Sequence, residues 1–199
     1  MKKFIESFVN VWKIEELKNK ILVTLGILLV YRFGSQVTLP GIDSTKLQSL
    51  SNQTEGGIGW LINVFTGGAF SEASIFALGI MPYISASIVV QLMGIAIPYL
   101  QKLQKDGESG RKTINQITRW LTIAITLVQA PGYIYNLKQT LPAEAFVNSE
   151  FFSFFPLFGS VLIIVSGTIF AMWLGERITE KGIGNGISLL IMVGILARM

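Results

Sequence analysis

The side chains able to do chemistry in this sequence fall mainly into two short cationic stretches. QKLQKDGESGRKTINQ, residues 101–116, carries Lys102, Lys105, Arg111 and Lys112 around a glycine-containing turn. GERITEKGIGNGIS, residues 175–188, carries Arg177 and Lys181 beside closely spaced glycines. Cations in the first stretch could grip phosphate or ribosomal RNA through charge, or could simply anchor a loop on the cytosolic side of a membrane. The glycines of the second stretch suggest a nucleotide loop, but no strand precedes them and two apolar runs flank them, so the dinucleotide fingerprint lacks its context. A tight turn ending in an Asn or Gly cap before the next helix fits better. The sequence contains no cysteine and no histidine. Disulfides, thiolate or imidazole metal ligands, and Cys- or His-dependent catalysis are thereby excluded within the chain.

The elements that hold these stretches are apolar. Hydrophobic residues make up 51% of the 199 and charged residues 14%, against about a quarter charged in soluble domains; the mean hydropathy is +0.56. Runs at residues 21–38, 75–98, 114–135, 152–173 and 186–199 approach the roughly 20 residues of a membrane span. The first contains Arg32, which can reach the outer interface. Residues 1–20 predict an amphipathic helix, with Phe4, Ile5, Phe8, Val9 and Trp12 in one stripe and lysines facing away. It could lie on an anionic bilayer surface or pack on the protein's own loops. Lys2, Lys3, Lys13, Lys18 and Lys20 precede the first span, and the two cationic stretches follow the second and fourth, whereas the opposite loops hold only Lys46 and Lys138. The positive-inside rule therefore places the N-terminus in the cytosol. Five spans starting inside would end outside, in mid-helix, so the chain is expected to be the first part of something longer. No span centre carries a carboxylate, Lys or His, which argues against ion-coupled transport and intramembrane catalysis.

Two features of the apolar runs invite a mechanism. GWLINVFTGGAFSEAS, residues 59–74, begins with an apolar segment too short to cross a bilayer and breaks at Gly67-Gly68. Such a segment is either re-entrant, dipping into a cavity as a stopper, or an interfacial helix lying flat. In the next run, Pro82 is expected to kink the span, with Ser85 and Ser87 available to the freed backbone groups. Ile80 and Ile84 are four apart, as are Ile187 and Ile191, so each pair shares a helix face. Facing pairs of branched side chains could form a dry collar that gates by dewetting, or could be ordinary packing.

YRFGSQVTLPGID, FSEASIFALGIMPYISASIVVQLM, GESGRKTINQ and GTIFAMWLGERITEKGIGNGISLLI occur in order along the chain. Together they closely resemble the SecY family, the channel subunits of bacterial protein translocases. The resemblance implies an all-α membrane protein: a multi-span helical bundle of about five transmembrane helices plus a re-entrant half-helix, forming the first half of a ten-span pseudo-symmetric channel. It makes Trp60, Leu61, Ile62, Asn63, Val64, Phe65, Thr66, Gly67, Gly68, Ala69 and Phe70 the plug that seals the idle pore, with Gly67-Gly68 as its joint. Ile80, Ile84, Ile187 and Ile191 become four of six pore-ring positions. The implied activity is conduction of secretory polypeptides across the cytoplasmic membrane and lateral release of membrane proteins, without enzymatic chemistry or a cofactor. The implied partners are SecE and SecG, the SecA motor ATPase, the ribosome and signal peptides. An inactive fragment, or a small solute channel or transporter of another fold, is the alternative.

Overall fold

The computed structural model describes residues 14–47, 57–147 and 151–197. Most of the expected amphipathic helix at residues 1–20 lies outside them, as does the end of the last apolar run. Seven α-helices are described: α1 Glu15–Gly34, α2 Gly57–Phe65, α3 Met81–Ala96, α4 Pro98–Lys105, α5 Gly107–Thr140, α6 Phe154–Lys181 and α7 Gly186–Leu196. Among the described residues there is no strand, only isolated antiparallel bridges pairing Thr38 with Ser74 and Ile42 with Phe146. Among the described residues, α6 alone qualifies by length and composition as a complete membrane-crossing helix; α3 and α4 qualify as a pair, bent by 103° at their junction.

Pro82 departs from the sequence expectation. It does not kink a helix but starts one, in the first turn of α3, where its missing N–H would have had no intrahelical partner. Residues 75–80 form turns instead of helix. No carbonyl is freed for Ser85 or Ser87, and the Ser87 hydroxyl accepts from Gln91 Nε2 at 3.1 Å. The sharp bend comes at Pro98, which begins α4, while Ile97 before it is extended, with φ −103° and ψ 116°. A residue preceding proline is pushed out of the helical region by the proline ring. Pro131, not Pro82, is the proline inside a helix.

Packing follows small residues at spacings of four. On α5, Thr118, Thr122, Thr126 and Ala130 are buried in one stripe, and each of these threonine hydroxyls donates to the carbonyl four residues before it, at 2.7–2.9 Å. Their polar groups are satisfied within the helix, so the stripe can press on neighbouring helices. α5 packs against α3, α4 and α6, and α6 against α1 and α7. Gly110 lets α5 close on the Leu103 carbonyl, and Gly167 does the same for the Ile75 carbonyl on α6.

The glycines of residues 182–186 likewise have structural work. Asn185 caps α7, its side-chain oxygen accepting from the amides of Ile187 and Ser188, in line with the cap expectation. Gly184 turns the chain at φ +70°, and Gly186 approaches the Gly175 carbonyl too closely for any side chain. Thr24 of α1 accepts from the Ile183 amide at 3.1 Å, and Thr179 accepts from that of Gly186 at 2.9 Å. At the other end of the bundle, the segments after α1 and α5 fold together. Leu39, Ile42, Leu137, Leu141, Phe151 and Ile164 are among the residues of one buried cluster there.

Candidate functional site

The nine-residue helix α2 spans about 14 Å, half the thickness of a bilayer core. It stops because Gly67 and Gly68 take φ of +64° and +91°, a left-handed backbone that glycine adopts without a Cβ clash. Past these glycines the chain folds into a tight knot, in which polar side chains close on backbone groups. Asn63, Thr66 and Ser71 are all buried. The Asn63 side-chain oxygen accepts from the Ser71 amide at 3.1 Å, and its carbonyl accepts from the Gly68 amide at 2.8 Å. The Thr66 hydroxyl donates to the Ile62 carbonyl at 2.9 Å. The Ser71 hydroxyl donates to the Gly68 carbonyl at 3.0 Å. Buried polar groups satisfied in this way favour one arrangement over all others.

Two side chains from longer helices hold the knot from outside. Arg32 of α1 donates to the Gly67 carbonyl at 2.7 Å, and Tyr133 of α5 donates to the Phe70 carbonyl at 2.8 Å. The Tyr133 ring also packs on Phe70 with centroids 5.0 Å apart. On its far side, α2 packs against α7, where Gly67 and Gly194 touch: a Cβ at Gly67 would lie 3.0 Å from the Gly194 Cα. Trp60 and Leu61 remain about half exposed.

The knot touches the isoleucine cluster through Ala69. Ala69 shares a buried cluster with Ile80, Tyr31, Phe76 and Leu190, and Ile84 and Ile187 pack against that cluster. Gly79 sits beneath the Thr66 methyl, 3.1 Å from where its Cβ would be. Ile80 is 4% exposed, while Ile84, Ile187 and Ile191 are half-buried. Three of the four predicted residues therefore meet in one cluster. Ile80 precedes α3 as its N-cap and is not within the helix; Ile187 rests on Gly175 of α6. Neither Arg32 nor Tyr133 was singled out by sequence pattern as a partner of residues 66–70. Their distance along the chain, 35 and 63 residues to their acceptors, left no spacing signal.

The cationic stretches differ from their expected form. Residues 101–116 are nearly all helical, broken only at Asp106, so the stretch forms no open glycine loop of the phosphate-cradling kind. Lys102, Lys105, Arg111, Lys112 and Lys181 are exposed. Arg177 is engaged with Glu180 at 3.1 Å and lies over the Trp173 ring. Nearby, Arg119 of α5 forms two hydrogen bonds with Glu176 of α6, at 2.9 and 2.6 Å.

The family model described as SecY matches residues 74–199. Protein translocase subunit SecY of Escherichia coli (strain K12) is 48% identical over 184 residues, covering 92% of this chain and 41% of that protein. The SecY subunit of Buchnera aphidicola subsp. Schizaphis graminum is 46% identical over the whole of this chain and 45% of its own length. The chain thus spans about half the length of the curated relatives it matches. In structure it is similar to a solved protein-conducting channel, with a TM-score of 0.55 and 24% identity over 89% of this chain and 36% of that one. Sec61 in the canine ribosome–channel complex from the endoplasmic reticulum matches to the same extent.

Proposed function

The chain belongs to the SecY family, and on that premise we propose that it supplies one half of a protein-conducting channel in the bacterial cytoplasmic membrane. In this reading α1, α3, α5, α6 and α7 are five spans with a cytosolic N-terminus. Residues 60–70 are the plug, and Ile80, Ile84, Ile187 and Ile191 belong to the pore ring. The observation that carries the reading is the contact of the knot with the isoleucines: Ala69 is buried in one cluster with Ile80, and Ile84 and Ile187 pack against that cluster. The apolar side chains of Trp60 and Leu61, half exposed here, would be covered by the other half of the channel.

Conduction through such a site needs no bond chemistry. A signal peptide parts the two halves, the plug leaves, and an extended polypeptide passes the ring. Branched apolar side chains seal around any sequence because they offer no specific hydrogen bonds, and an empty apolar neck resists wetting. SecE and SecG would be the membrane partners; SecA or the ribosome would supply the drive. The exposed Lys102, Lys105, Arg111, Lys112 and Lys181, with Arg177, form the cytosolic surface for them.

The absence of native cysteine in this chain allows a direct test. A single cysteine at Ile84, in a full-length channel carrying this chain, is expected to crosslink a secretory polypeptide arrested in transit, and only when its signal peptide is functional. Secreting membranes that give no crosslink would return Ile80 and Ile84 to ordinary packing.

A further inference from the structure

We propose that Arg32 is the latch that holds the closed state, and so sets how strong a signal peptide must be to open the channel. The proposal rests on the reading of residues 60–70 as the plug. Arg32 is the charged side chain that α1 places against the joint, and its Nη1 donates to the Gly67 carbonyl at 2.7 Å. Three circumstances make this bond a latch instead of incidental packing.

The first is its target. Gly67 has φ +64°, and the left-handed turn presents its carbonyl toward α1 while its Cα faces Gly194 of α7. The bond and the glycine contact grip the joint from two different helices. Moving the turn up to Ala69, which is buried with Ile80, requires breaking both, while Phe70 stays tied to Tyr133. The second is reversibility. Arg32, Gly67, Gly68 and Glu72 line a cleft of about 380 Å³ together with Ser35 and Gln36. Its lining is mostly polar, so the guanidinium can be hydrated when the carbonyl leaves, and opening does not strand a buried charge. The third is the contrast with Tyr133, whose hydroxyl holds the Phe70 carbonyl from a fully packed position. Tyr133 anchors the end of the segment that stays, and Arg32 holds the turn that moves.

The test measures resting ion conductance of the full-length channel in proteoliposomes, for Arg32→Gln and Arg32→Lys, each with and without residues 60–70. Charged hydrogen bonds of this kind shift an equilibrium by on the order of tenfold. Arg32→Gln is therefore expected to raise resting leak about tenfold and to admit precursors with weakened signal peptides. Arg32→Lys, which keeps the charge and a donor, should recover part of the closure. With residues 60–70 removed, neither substitution should add leak. If the deletion leaks but Arg32→Gln stays tight, the latch is overturned and the plug stands. A deletion that does not leak overturns the plug reading, and the latch with it. Equal added leak in both backgrounds assigns Arg32 to general packing and overturns the latch as well. Should Arg32→Gln fail to accumulate, Gly194→Ala carries the test, because its Cβ would press on the Phe65 carbonyl at 3.0 Å and the Gly67 amide at 3.3 Å. It loosens the same joint without touching Arg32; tight closure in that variant would count against a two-sided grip.

Discussion

Two polar regions of this molecule are built on opposite plans. Around residues 63–71 the polar groups are buried, paired with one another, and held by Arg32 and Tyr133. Around residues 102–112 they are exposed along two helices. The first region uses its polarity to specify one backbone path, where an unmade hydrogen bond would cost about 1–3 kcal/mol. The second leaves its charges in water, where single ion pairs contribute little to stability but remain free to meet a partner. Polarity in the knot therefore serves shape, whereas polarity in the cationic stretch is left facing outward.

That contrast can be broken by substitution, with effects on stability that decline from the first region to the second. Gly67→Ala should be the most damaging, because it combines a positive φ with the close Gly194 Cα. We expect a loss on the order of 2–3 kcal/mol, read as a lower thermal midpoint of the full-length channel in detergent. A wild-type midpoint would mean that the turn is not under the constraint described. Tyr133→Phe removes the donor to the Phe70 carbonyl and should cost about 1–2 kcal/mol by the same measurement. No change there would show that water or another donor satisfies that carbonyl.

Glu176→Gln weakens the paired hydrogen bonds from Arg119. Since the Arg119 side chain is 45% exposed, solvent screening limits the loss to roughly 0.5–1 kcal/mol. Reversing Lys105 and Lys112 to glutamate should leave the midpoint within about 0.5 kcal/mol, yet weaken co-sedimentation with ribosomes or SecA. Unchanged binding to both would leave these lysines as topology determinants only. The smallest effect belongs to Asp43, which caps a short 3-10 turn at Ser44–Lys46. Hydrogen bonds from the Thr45 hydroxyl and amide hold its carboxyl below the ordinary carboxylate value. Its contribution is complete above that ordinary value and is lost as the pH falls through the lowered one. Asp43→Ala should remove this acid-side dependence while leaving the midpoint at neutral pH nearly unchanged.

Much of this protein was determined locally. The helical, apolar character of the chain, the half-length helix broken at Gly67-Gly68, and Asn185 as a cap all follow from composition and short-range spacing. These depend on interactions within a few residues, which a sequence displays directly. Other features depended on what the chain meets after folding. Pro82 could interrupt a helix or begin one, and its place in the first turn of α3 became visible only with the turns at residues 75–80. Ile80, Ile84 and Ile187 had the spacing of ordinary packing, and only the fold brings Ala69 of the knot into their shared cluster. Arg32 and Tyr133 gave no pattern at all, because their acceptors are backbone carbonyls, which every residue carries and no letter of the sequence distinguishes. Only the packing of α1 and α5 around the joint selects which carbonyl each one holds.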